Sequence, residues 1–447
     1  MSSQAPHILY VGSILPKRSE TFVYREVLAL RERGVQVSIA SVNAPERDLG
    51  DEQLDALAAE AIHVYGEGLG GKWSVVRDAV LQRGVWWPHG VFEVSPGYWP
   101  KHKLQYAAGI ALARRVKDRG ITHVHAHMAH VPTTVAMSCA EALGVPFSFT
   151  GHAADLFRDR SALKTKLKRA AFVSCISQWH RGFYREMVPT LTDEQLPVIR
   201  CGVDMREFTP VDPAAADGHH LLAIGRLVPK KGFDVLLRAV AKAISNPPLA
   251  PGSAGGAASR ESAPGQSPGL TVTLVGDGPE EANLRALADE LGVSDRVTFA
   301  GAQPNHVVRE MLGDAGLFVL PCREAADGDR DGIPVVLMEA MARNMCVVSG
   351  DLETIRELVA DNKTGVMVTP GAVDELAEVL VRLSRDQAER KRLADAGRAR
   401  VAEEFSLSVN LDRLEAAFAA ASESLESEKN PDSPKPDALP EAGVNHA

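Results

Sequence analysis

The apolar residues of this chain alternate between short continuous runs and longer stretches with helical spacing. The first run, "HILYVGS", is typical of a strand that is buried on both faces. The stretch that follows, "TFVYREVLALRERG", places apolar residues on one face of a helix and ends at a glycine. Strands that alternate with helices in this way predict a parallel sheet covered by helices on both faces.

The alternation continues through the first half of the chain and then restarts. Further strands are predicted at "VQVSIASV", "THVHAHM", "VPFSFTG", "AFVSCIS" and "LPVIRCG", and then at "HLLAIGRLV", "LTVTLVGDGP", "RVTFAG", "LFVLPC" and "MCVVSG". We therefore predict an α/β protein with two doubly wound, Rossmann-like domains of parallel sheet. Pro, Ala and Asp interrupt the pattern near residues 203–218, so we place the domains at residues 1–208 and 209–404. A helix at about 405–421 is a candidate to pack back on the first domain.

Two segments have compositions that do not support a packed core. Residues 245–269 are rich in Pro, Gly, Ala and Ser, and they interrupt an ordinary connection from a helix to a strand. Residues 422–447 form an acidic tail. Neither segment can bury enough apolar surface to offset the entropy lost on ordering, so we predict a disordered insertion and a disordered tail.

The composition narrows the class of protein. The chain has 447 residues, a formal net charge of -9 and five cysteines without a C-x-x-C pair. The negative charge argues against nucleic acid as a partner, and the dispersed cysteines are typical of reduced thiols in the cytoplasm. We see no signal peptide and no apolar run near the ~20 residues that span a bilayer, so we expect a cytoplasmic protein.

Aromatic residues near position 90 leave two interpretations open. Trp86, Trp87, Tyr98 and Trp99, together with the basic run at residues 158–169, could form a peripheral contact with the inner face of the plasma membrane. The alternative is a packed aromatic cluster beside a solvated helix face, and the sequence does not decide between them.

A nearly all-apolar helix in the second half carries one carboxylate. The stretch "GIPVVLMEAMA" predicts a helix from Pro334 to Ala342, and Glu339 interrupts its apolar surface. A buried carboxylate needs either a basic partner or a ligand. Asp331 precedes this helix, whose first N–H groups and positive dipole end are a suitable seat for a phosphate. From this stretch alone, a ligand site and a buried ion pair are equally plausible.

Two basic residues follow the first strand of the second half. In "AIGRLVPKKGFDVLLRA", Arg226 follows the strand directly and Lys231 stands at the start of a helix. Doubly wound folds bind ligands at the carboxyl ends of their strands, so these cations could hold a diphosphate. Gly276 and Gly278 in "LVGDGPEEANL" add a third turn at a strand end, where the backbone can approach closely.

These motifs together resemble the retaining glycosyltransferases of family 4, which have the two-domain fold called GT-B. The resemblance covers about residues 7–420 and is carried by "GRLVPKKG", "VGDGP", "GIPVVLMEAMA" and "TGVMVTPG". The stretches "SETFVYREVLAL" and "ADGDRDGIPVVLMEAMA" are most similar to the branch that builds bacterial exopolysaccharides, such as colanic-acid-type transferases.

The resemblance implies roles for the acidic and basic residues of the second half. Arg226 and Lys231 match the pair that binds the donor diphosphate. Asp331 and Glu339 match the two ends of an acidic motif, whose first acid contacts the donor sugar and whose second contacts the ribose. Aspartate stands where the family has glutamate, so its side chain is one methylene shorter. The backbone of Gly332, Ile333 and Pro334 would line the phosphate and the sugar.

In the first half, the resemblance places His152 of "FTGHAADLF" beside the reacting sugar. A loop or core histidine is the alternative. Gly12, at the end of the first strand, is a further candidate for the substrate site, next to a loop that could face the cleft or simply cap the first helix.

Two patterns invite a metal site, but we expect none and no cofactor. His125, His127 and His130 lie close together in "VHAHMAH", and "DGDRD" contains an Asp-x-Asp pattern. We set the histidines aside because alternating positions on a buried strand point to opposite faces of the sheet. The resemblance is also to a fold that needs no metal for its leaving group.

The resemblance implies retaining transfer of a hexosyl group from a nucleotide-diphosphate sugar to a saccharide or a polyprenyl-diphosphate-linked saccharide. Such a reaction belongs to the biosynthesis of a cell-surface polysaccharide. Two alternatives remain open, which are a nucleotide-sugar epimerase of the same fold and a non-catalytic partner that binds a nucleotide sugar.

Overall fold

Two parallel sheets organise the chain. The computed structural model describes residues 6–17, 20–47, 49, 51–66, 68–83, 88–152, 160–213, 215–245 and 269–429. The strands, numbered in chain order, are β1 (His7–Gly12), β2 (Gln36–Ser41), β3 (Ile62–His63), β4 (His123–His127), β5 (Phe147–Gly151), β6 (Phe172–Cys175), β7 (Asp217–Ile224), β8 (Thr271–Val275), β9 (Val297–Gly301), β10 (Ala315–Leu320), β11 (Cys346–Gly350) and β12 (Val366–Val368). Their order is β3-β2-β1-β4-β5-β6 in the first sheet and β12-β11-β10-β7-β8-β9 in the second.

Helices connect the strands. They are α1 (Thr21–Glu32), α2 (Glu52–Glu60), α3 (Gly68–Arg83), α4 (Trp99–Val116), α5 (Val131–Leu143), α6 (Leu163–Arg169), α7 (Gln178–Met187), α8 (Phe233–Ser245), α9 (Glu281–Glu290), α10 (Asn305–Met311), α11 (Val335–Ala342), α12 (Val373–Arg385), α13 (Gln387–Arg400) and α14 (Leu407–Lys429), with a π-helical turn at Val401–Phe405. The prediction of two doubly wound parallel sheets is confirmed by this strand order.

The central strands are buried on both faces, which explains their continuous apolar sequences. Every residue of β10 and β11 is buried, as is every residue of β4 and β5. A strand of this kind cannot alternate between apolar and polar residues, because helices cover both of its faces. In β4 the buried positions include three histidines, and each of them therefore needs a hydrogen-bond partner.

The last helix returns to the first sheet. Leu411, Leu414 and Phe418 of α14 pack in one apolar cluster with Ile8 and Tyr10 of β1. The chain passes between the two sheets at two places that lie side by side, since the Val203 N–H donates to Phe405 O at 3.0 Å and the Leu407 N–H donates to Val203 O at 2.8 Å. Two adjacent crossings are a natural place for a hinge between the halves.

Some segments differ from the sequence prediction, and others lie outside the residues that the structure describes. The predicted strand "LPVIRCG" lies beside β6, where the Cys175 N–H donates to Pro197 O at 2.9 Å and the Ile199 N–H donates to Cys175 O at 2.9 Å. It forms only an isolated bridge between Val198 and Cys175, because β6 ends there. Helix α14 continues to Lys429, so it extends into the segment predicted as a disordered tail, and the Ser422 hydroxyl donates to Phe418 O at 3.0 Å within it. Residues 246–268 and 430–447 lie outside the described residues.

Candidate functional site

A basic and an acidic side chain meet where the central strands of the second sheet end. The chain after β7 forms a 3-10 turn at Pro229–Lys231, and Asp331 lies between β10 and α11. The Nζ of Lys231 is 2.9 Å from Oδ2 of Asp331, and both side chains are mostly buried. The carboxyl ends of parallel strands share one edge of a sheet, so the topology brings together two residues that are a hundred positions apart in sequence.

This pair is electrostatically matched. Burial is the largest single influence and would lower the pKa of Lys231, but its neighbours together, with the charge of Asp331 the strongest among them, raise that pKa above its ordinary value. Burial would raise the pKa of Asp331, but Lys231 and then Lys230 hold it below its ordinary value. The thiol of Cys322 also donates to Oδ2 of Asp331 at 3.3 Å. Both partners are therefore charged at neutral pH and rigidly held.

The side chain of Lys230 lies next to both carboxylates of the Asp-x-Asp pattern. The Nζ of Lys230 lies 3.2 Å from Oδ1 of Asp329 and 3.5 Å from Oδ1 of Asp331. The backbone N–H of Asp329 donates to Oδ1 of Asp327 at 3.0 Å. A cation that needs both carboxylates would have to displace Lys230, so the arrangement gives no support to a metal at this pattern.

The start of α11 leaves backbone donors available. Pro334 is the residue that precedes the helix and makes no side-chain cap. The hydroxyl of Thr354 donates to the carbonyl of Asp331 at 3.0 Å and lies 3.4 Å from that of Gly332, which orients this loop from behind. Within the described part of the chain, no group accepts a hydrogen bond from the N–H of Gly332 or Ile333. Such N–H groups at a helix start suit an anion.

The carboxylate inside α11 is paired with the other half of the protein. Oε1 of Glu339 lies 3.0 Å from Nη1 of Arg25, which belongs to α1, and both side chains are mostly buried. Arg25 also lies 3.7 Å from Glu207. The basic partner that Glu339 requires thus comes from the first half, and a ribose at Glu339 would have to compete with it.

Arg226 differs from its neighbours because its side chain is exposed. No described residue forms an ion pair with its guanidinium group. The loop that carries it is pressed against the next turn, since the Leu227 N–H donates to Asp277 O at 2.8 Å. A Cβ on Gly276 would lie 2.1 Å from Gly225 O, and one on Gly278 would lie 2.4 Å from Leu227 O. The two glycines therefore permit close contact between the two loops.

In the first half, His152 follows β5 and is buried. Its Nε2 lies 3.3 Å from Nδ1 of His127, and its ring centroid lies 4.6 Å from that of Phe22. Burial and then the neighbouring His127 hold the pKa of His152 well below its ordinary value. Gly12 ends β1 beside the end of β4, and its carbonyl accepts from the Val42 N–H at 2.9 Å.

The prediction that the β4 histidines point to opposite faces of the sheet is wrong. His125 and His127 are two positions apart, so they share one face of the sheet, and their ring centroids are 5.3 Å apart. Together with Glu26 they form a group whose potential ligand atoms lie within 4.8 Å of one another. His130 does not belong to this group, because its Nδ1 accepts from the Val131 N–H at the start of α5.

Hydrogen bonds already use the atoms of this group. His125 bonds Ser148 through Nδ1 at 2.7 Å and Thr150 through Nε2 at 3.1 Å. The Nε2 of His127 lies 2.9 Å from Oε1 of Glu26. These contacts give the ring nitrogens of His125 and His127 partners without an ion, and the contacts of His125 are separate from the one between His127 and Glu26.

The residues considered for a membrane contact do not form one surface among the described residues. Trp86 and Trp87 lie outside the described residues. Trp99 donates its indole N–H to Val94 O at 3.2 Å. Lys166, from the basic run, is buried and donates to the carbonyls of Ala129 and Ser161 at 2.8 Å. Searching the described ranges finds no helix with the length and apolar character needed to cross a bilayer.

Sequence reasoning missed several residues of this site. Arg25 and Glu26 are adjacent polar residues in an amphipathic helix, and nothing in their spacing separates them from ordinary surface positions. Their burial was signalled only weakly, by the aromatic residues Phe22 and Tyr24 in the first turn of the helix. Thr354 and Cys322 act through a carbonyl and a carboxylate that are close only in the folded chain.

Models of two protein families match the two halves of the chain. Residues 19–207 match "Glycosyltransferase Family 4", and residues 205–400 match "Glycosyl transferases group 1". The chain is 35% identical over 193 residues to the "Putative colanic acid biosynthesis glycosyltransferase WcaL" of Escherichia coli, which is 43% of each protein. This match and those to similar exopolysaccharide relatives thus span less than half of their length.

A second relative is matched over more of its length, and solved structures share the fold. The chain is 28% identical, over 80% of its own length and 86% of the relative's, to a "GDP-mannose-dependent monoacylated alpha-(1-6)-phosphatidylinositol monomannoside mannosyltransferase" of Corynebacterium glutamicum. The structure of HepE from Anabaena in complex with UDP superposes with a TM-score of 0.66 at 16% identity, and it covers 93% of this chain and all of that one. At this identity the superposition shows a common fold.

Proposed function

This chain belongs to the family 4 glycosyltransferases, with the GT-B fold, and from that premise we propose that it moves a hexosyl group from a nucleotide-diphosphate sugar to a saccharide or a lipid-linked saccharide. The observation that carries the proposal is the convergence of Lys231 and Asp331 beside the open start of α11. A cation, a carboxylate and outward N–H groups at one point suit a ligand with both phosphate and hydroxyl groups.

In this proposal the donor diphosphate lies between Arg226 and the start of α11. The N–H groups of Gly332 and Ile333 donate to phosphate oxygens, whereas Pro334 shapes the turn without donating. Lys231 contributes positive charge from its fixed position on Asp331, and Asp331 accepts a hydrogen bond from a sugar hydroxyl. Glu339 binds the ribose after Arg25 has moved away from it.

The proposed chemical step is a front-face displacement. The bond between the anomeric carbon and the leaving phosphate oxygen breaks, and the acceptor oxygen bonds to the same face of that carbon. The proton of the acceptor hydroxyl passes to the leaving phosphate oxygen, so the sugar keeps its configuration. Arg226, Lys231 and the helix start stabilise the charge that develops on the leaving diphosphate. His152 of the first half stands on the acceptor side.

A panel of nucleotide sugars should identify the donor. We expect one UDP- or GDP-sugar to raise the melting temperature by a few degrees, because a ligand at ~100 times its Kd stabilises by about 2.7 kcal/mol. The same donor should then label a lipid-extract or oligosaccharide acceptor, with retention at the anomeric carbon by NMR. Because the exopolysaccharide relatives are only partly covered, colanic-acid-type saccharides and a phosphatidylinositol monomannoside should both be tried as acceptors.

Controls separate this reaction from its alternatives. Isomerised sugar formed from donor alone would indicate an epimerase, and binding without transfer across all acceptors would indicate a silent partner. Excess EDTA should leave transfer unchanged. Activity that EDTA abolishes and manganese restores would contradict the proposal that cationic side chains stabilise the leaving diphosphate.

We also propose that the protein reaches a lipid-linked acceptor through a peripheral contact made by α3. Trp73, Val76 and Val80 lie on one face of this helix, at spacings of three and four residues, and they are exposed together with Leu81. Lys72 on the same helix is exposed as well. An exposed tryptophan and exposed aliphatic side chains on one side of a helix, with a lysine next to them, suit the interface of an anionic bilayer.

The double variant Trp73→Ser/Leu81→Ser should lose membrane binding. We expect the wild-type protein to sediment with vesicles that contain anionic lipid and the variant to remain in the supernatant, because the exposed apolar area is removed. Glu378→Ser on the exposed face of α12 serves as the matched surface control. Wild-type protein that stays unbound, or a variant that binds equally well, would contradict the contact.

A further inference from the structure

A hydrogen-bonded chain links helix α1 to His152. The hydroxyl of Tyr10 donates to Oε1 of Glu26 at 2.7 Å, and Nε2 of His127 lies 2.9 Å from the same oxygen. The other nitrogen of His127, Nδ1, lies 3.3 Å from Nε2 of His152. The two imidazole rings are nearly parallel, with an interplanar angle of 23°. Each link joins side chains from a different element, namely β1, α1, β4 and the end of β5.

The chain runs along the edge of the sheet where a doubly wound fold binds its ligands. His127 is the last residue of β4, which pairs with β1 at the point where the strand order reverses. Glu26 is the neighbour of Arg25, which contacts Glu339 of the other half. Glu26 thus lies on the helix that also contacts the second half, through Arg25.

Among the described residues, the side chains of the two histidines that precede His127 on β4 form hydrogen bonds only with neutral hydroxyl groups. His125 bonds hydroxyls through both of its nitrogens, whereas His123 bonds the hydroxyl of Ser148 through Nε2 at 2.7 Å and no described group pairs with its Nδ1. Neutral hydroxyls suffice to satisfy a buried imidazole. His127 instead has a carboxylate, whose burial is costly and which polarises the ring that it contacts.

The directions of these hydrogen bonds define the tautomer of His152. A carboxylate oxygen only accepts, so Nε2 of His127 carries a proton. In the form of His127 that carries its one ring proton on Nε2, Nδ1 accepts a hydrogen bond from His152, and Nε2 of His152 therefore carries a proton as well. Burial and then His127 lower the pKa of His152, so this imidazole is neutral near pH 7 and keeps Nδ1 unprotonated.

We propose that Glu26 and His127 are positioning residues for sugar transfer, which act by fixing the tautomer and the ring orientation of His152. This inference rests on the proposed function of the site. It extends that function to two residues that do not contact the donor, in the way that a buried carboxylate orients the histidine of a catalytic triad. Loss of the carboxylate charge should release His152 into a mixture of tautomers.

The test compares Glu26→Gln and His127→Gln with His125→Asn as the matched control on the same strand. We expect each of the first two variants to lower kcat by about 10- to 100-fold with donor KM within about twofold, and to shift the pH dependence of kcat. The double variant Glu26→Gln/His127→Gln should be no worse than His127→Gln, because both act through one residue. His125→Asn should retain kcat, and Glu26→Asp should restore part of it.

A readout that does not depend on turnover separates this inference from the proposed function. In protein with 15N-labelled histidine, assigned with His152→Gln, we expect His152 as the Nε2–H tautomer and a tautomer mixture in Glu26→Gln. If no donor supports transfer but the tautomer changes as described, the proposed function fails and the positioning chain stands. A wild-type His152 with the proton on Nδ1, or an unchanged tautomer in both variants, overturns it. So does a kcat within twofold of wild type in Glu26→Gln.

Discussion

Replacement of Arg226 by alanine should lower kcat by about 10²- to 10³-fold, which is the usual cost of removing one preorganised donor to a developing negative charge. The melting temperature should stay within about 1 °C of the wild-type value, because an exposed side chain without a partner contributes within about 0.5 kcal/mol to stability. Arg226 is exposed, and among the described residues no carboxylate pairs with its guanidinium group. Its substitution therefore isolates the contribution to the reaction.

Steady-state kinetics with the donor identified above would measure this effect, with thermal unfolding in parallel. Arg238→Ala is the matched control, since Arg238 is an exposed arginine on α8 of the same half. Equal losses in the two variants would point to a general effect of charge on the donor. Unchanged turnover in Arg226→Ala would remove this residue from the proposed mechanism.

The sequence predicted the architecture well, because the relevant signals are local. Runs such as "LFVLPC" and "MCVVSG" are apolar throughout, and only a strand covered on both faces requires this. The convergence of Lys231 with Asp331 follows from the same topology, because both residues come after strands of one parallel sheet. Neither inference needed knowledge of how the two halves meet.

Contacts between the halves could not be predicted in this way. The need of Glu339 for a partner was visible in the sequence, but Arg25 is over three hundred positions away, on a helix with several other charged residues. The error at His125 and His127 has a different origin. The period of a strand is two, so alternate residues share a face, whereas the prediction placed them on opposite faces. Applied correctly, the rule places His125 and His127 on one face, where they lie close to Glu26.

The contact between Arg25 and Glu339 also suggests how donor binding and domain closure are connected. In the proposed function, a ribose that binds Glu339 replaces a mostly buried ion pair, so part of the binding energy of the donor would be used to separate Arg25 from α11. Because Glu26 is adjacent to Arg25 on α1, movement of this helix would also change the distance from Glu26 to His127. Donor binding in one half would thereby be sensed at His152 in the other.

Lys231→Ala should have the largest combined effect on activity and stability. Removing one partner of a buried pair leaves an uncompensated charge, so we expect the free energy of unfolding to fall by about 3 kcal/mol. This is at the low end of the usual range because Lys230 stays 3.5 Å from Asp331. Turnover should fall by about 10²-fold or more. Lys230→Ala is the matched control. Because Lys230 is more exposed than Lys231, we expect this substitution to lower the free energy of unfolding by less than about 1 kcal/mol.

The pH dependence of unfolding tests the origin of this loss. In the wild type the lowered pKa of Asp331 contributes stability that is present above its unfolded value of about 4 and is lost as the pH falls through the folded pKa. The raised pKa of Lys231 contributes stability below about 10.4, which is lost as the pH rises through its folded pKa. The contribution of the pair is therefore constant across the neutral range.

Without Lys231, burial should raise the pKa of Asp331, so the variant loses stability as the pH rises and Asp331 ionises. The difference between wild type and Lys231→Ala in urea unfolding should then widen from about pH 5 to about pH 8. Lys231→Met/Asp331→Asn should recover most of the stability and none of the activity, because it removes both charges together. A difference that does not depend on pH would show that packing, and not the ion pair with Asp331, accounts for the loss.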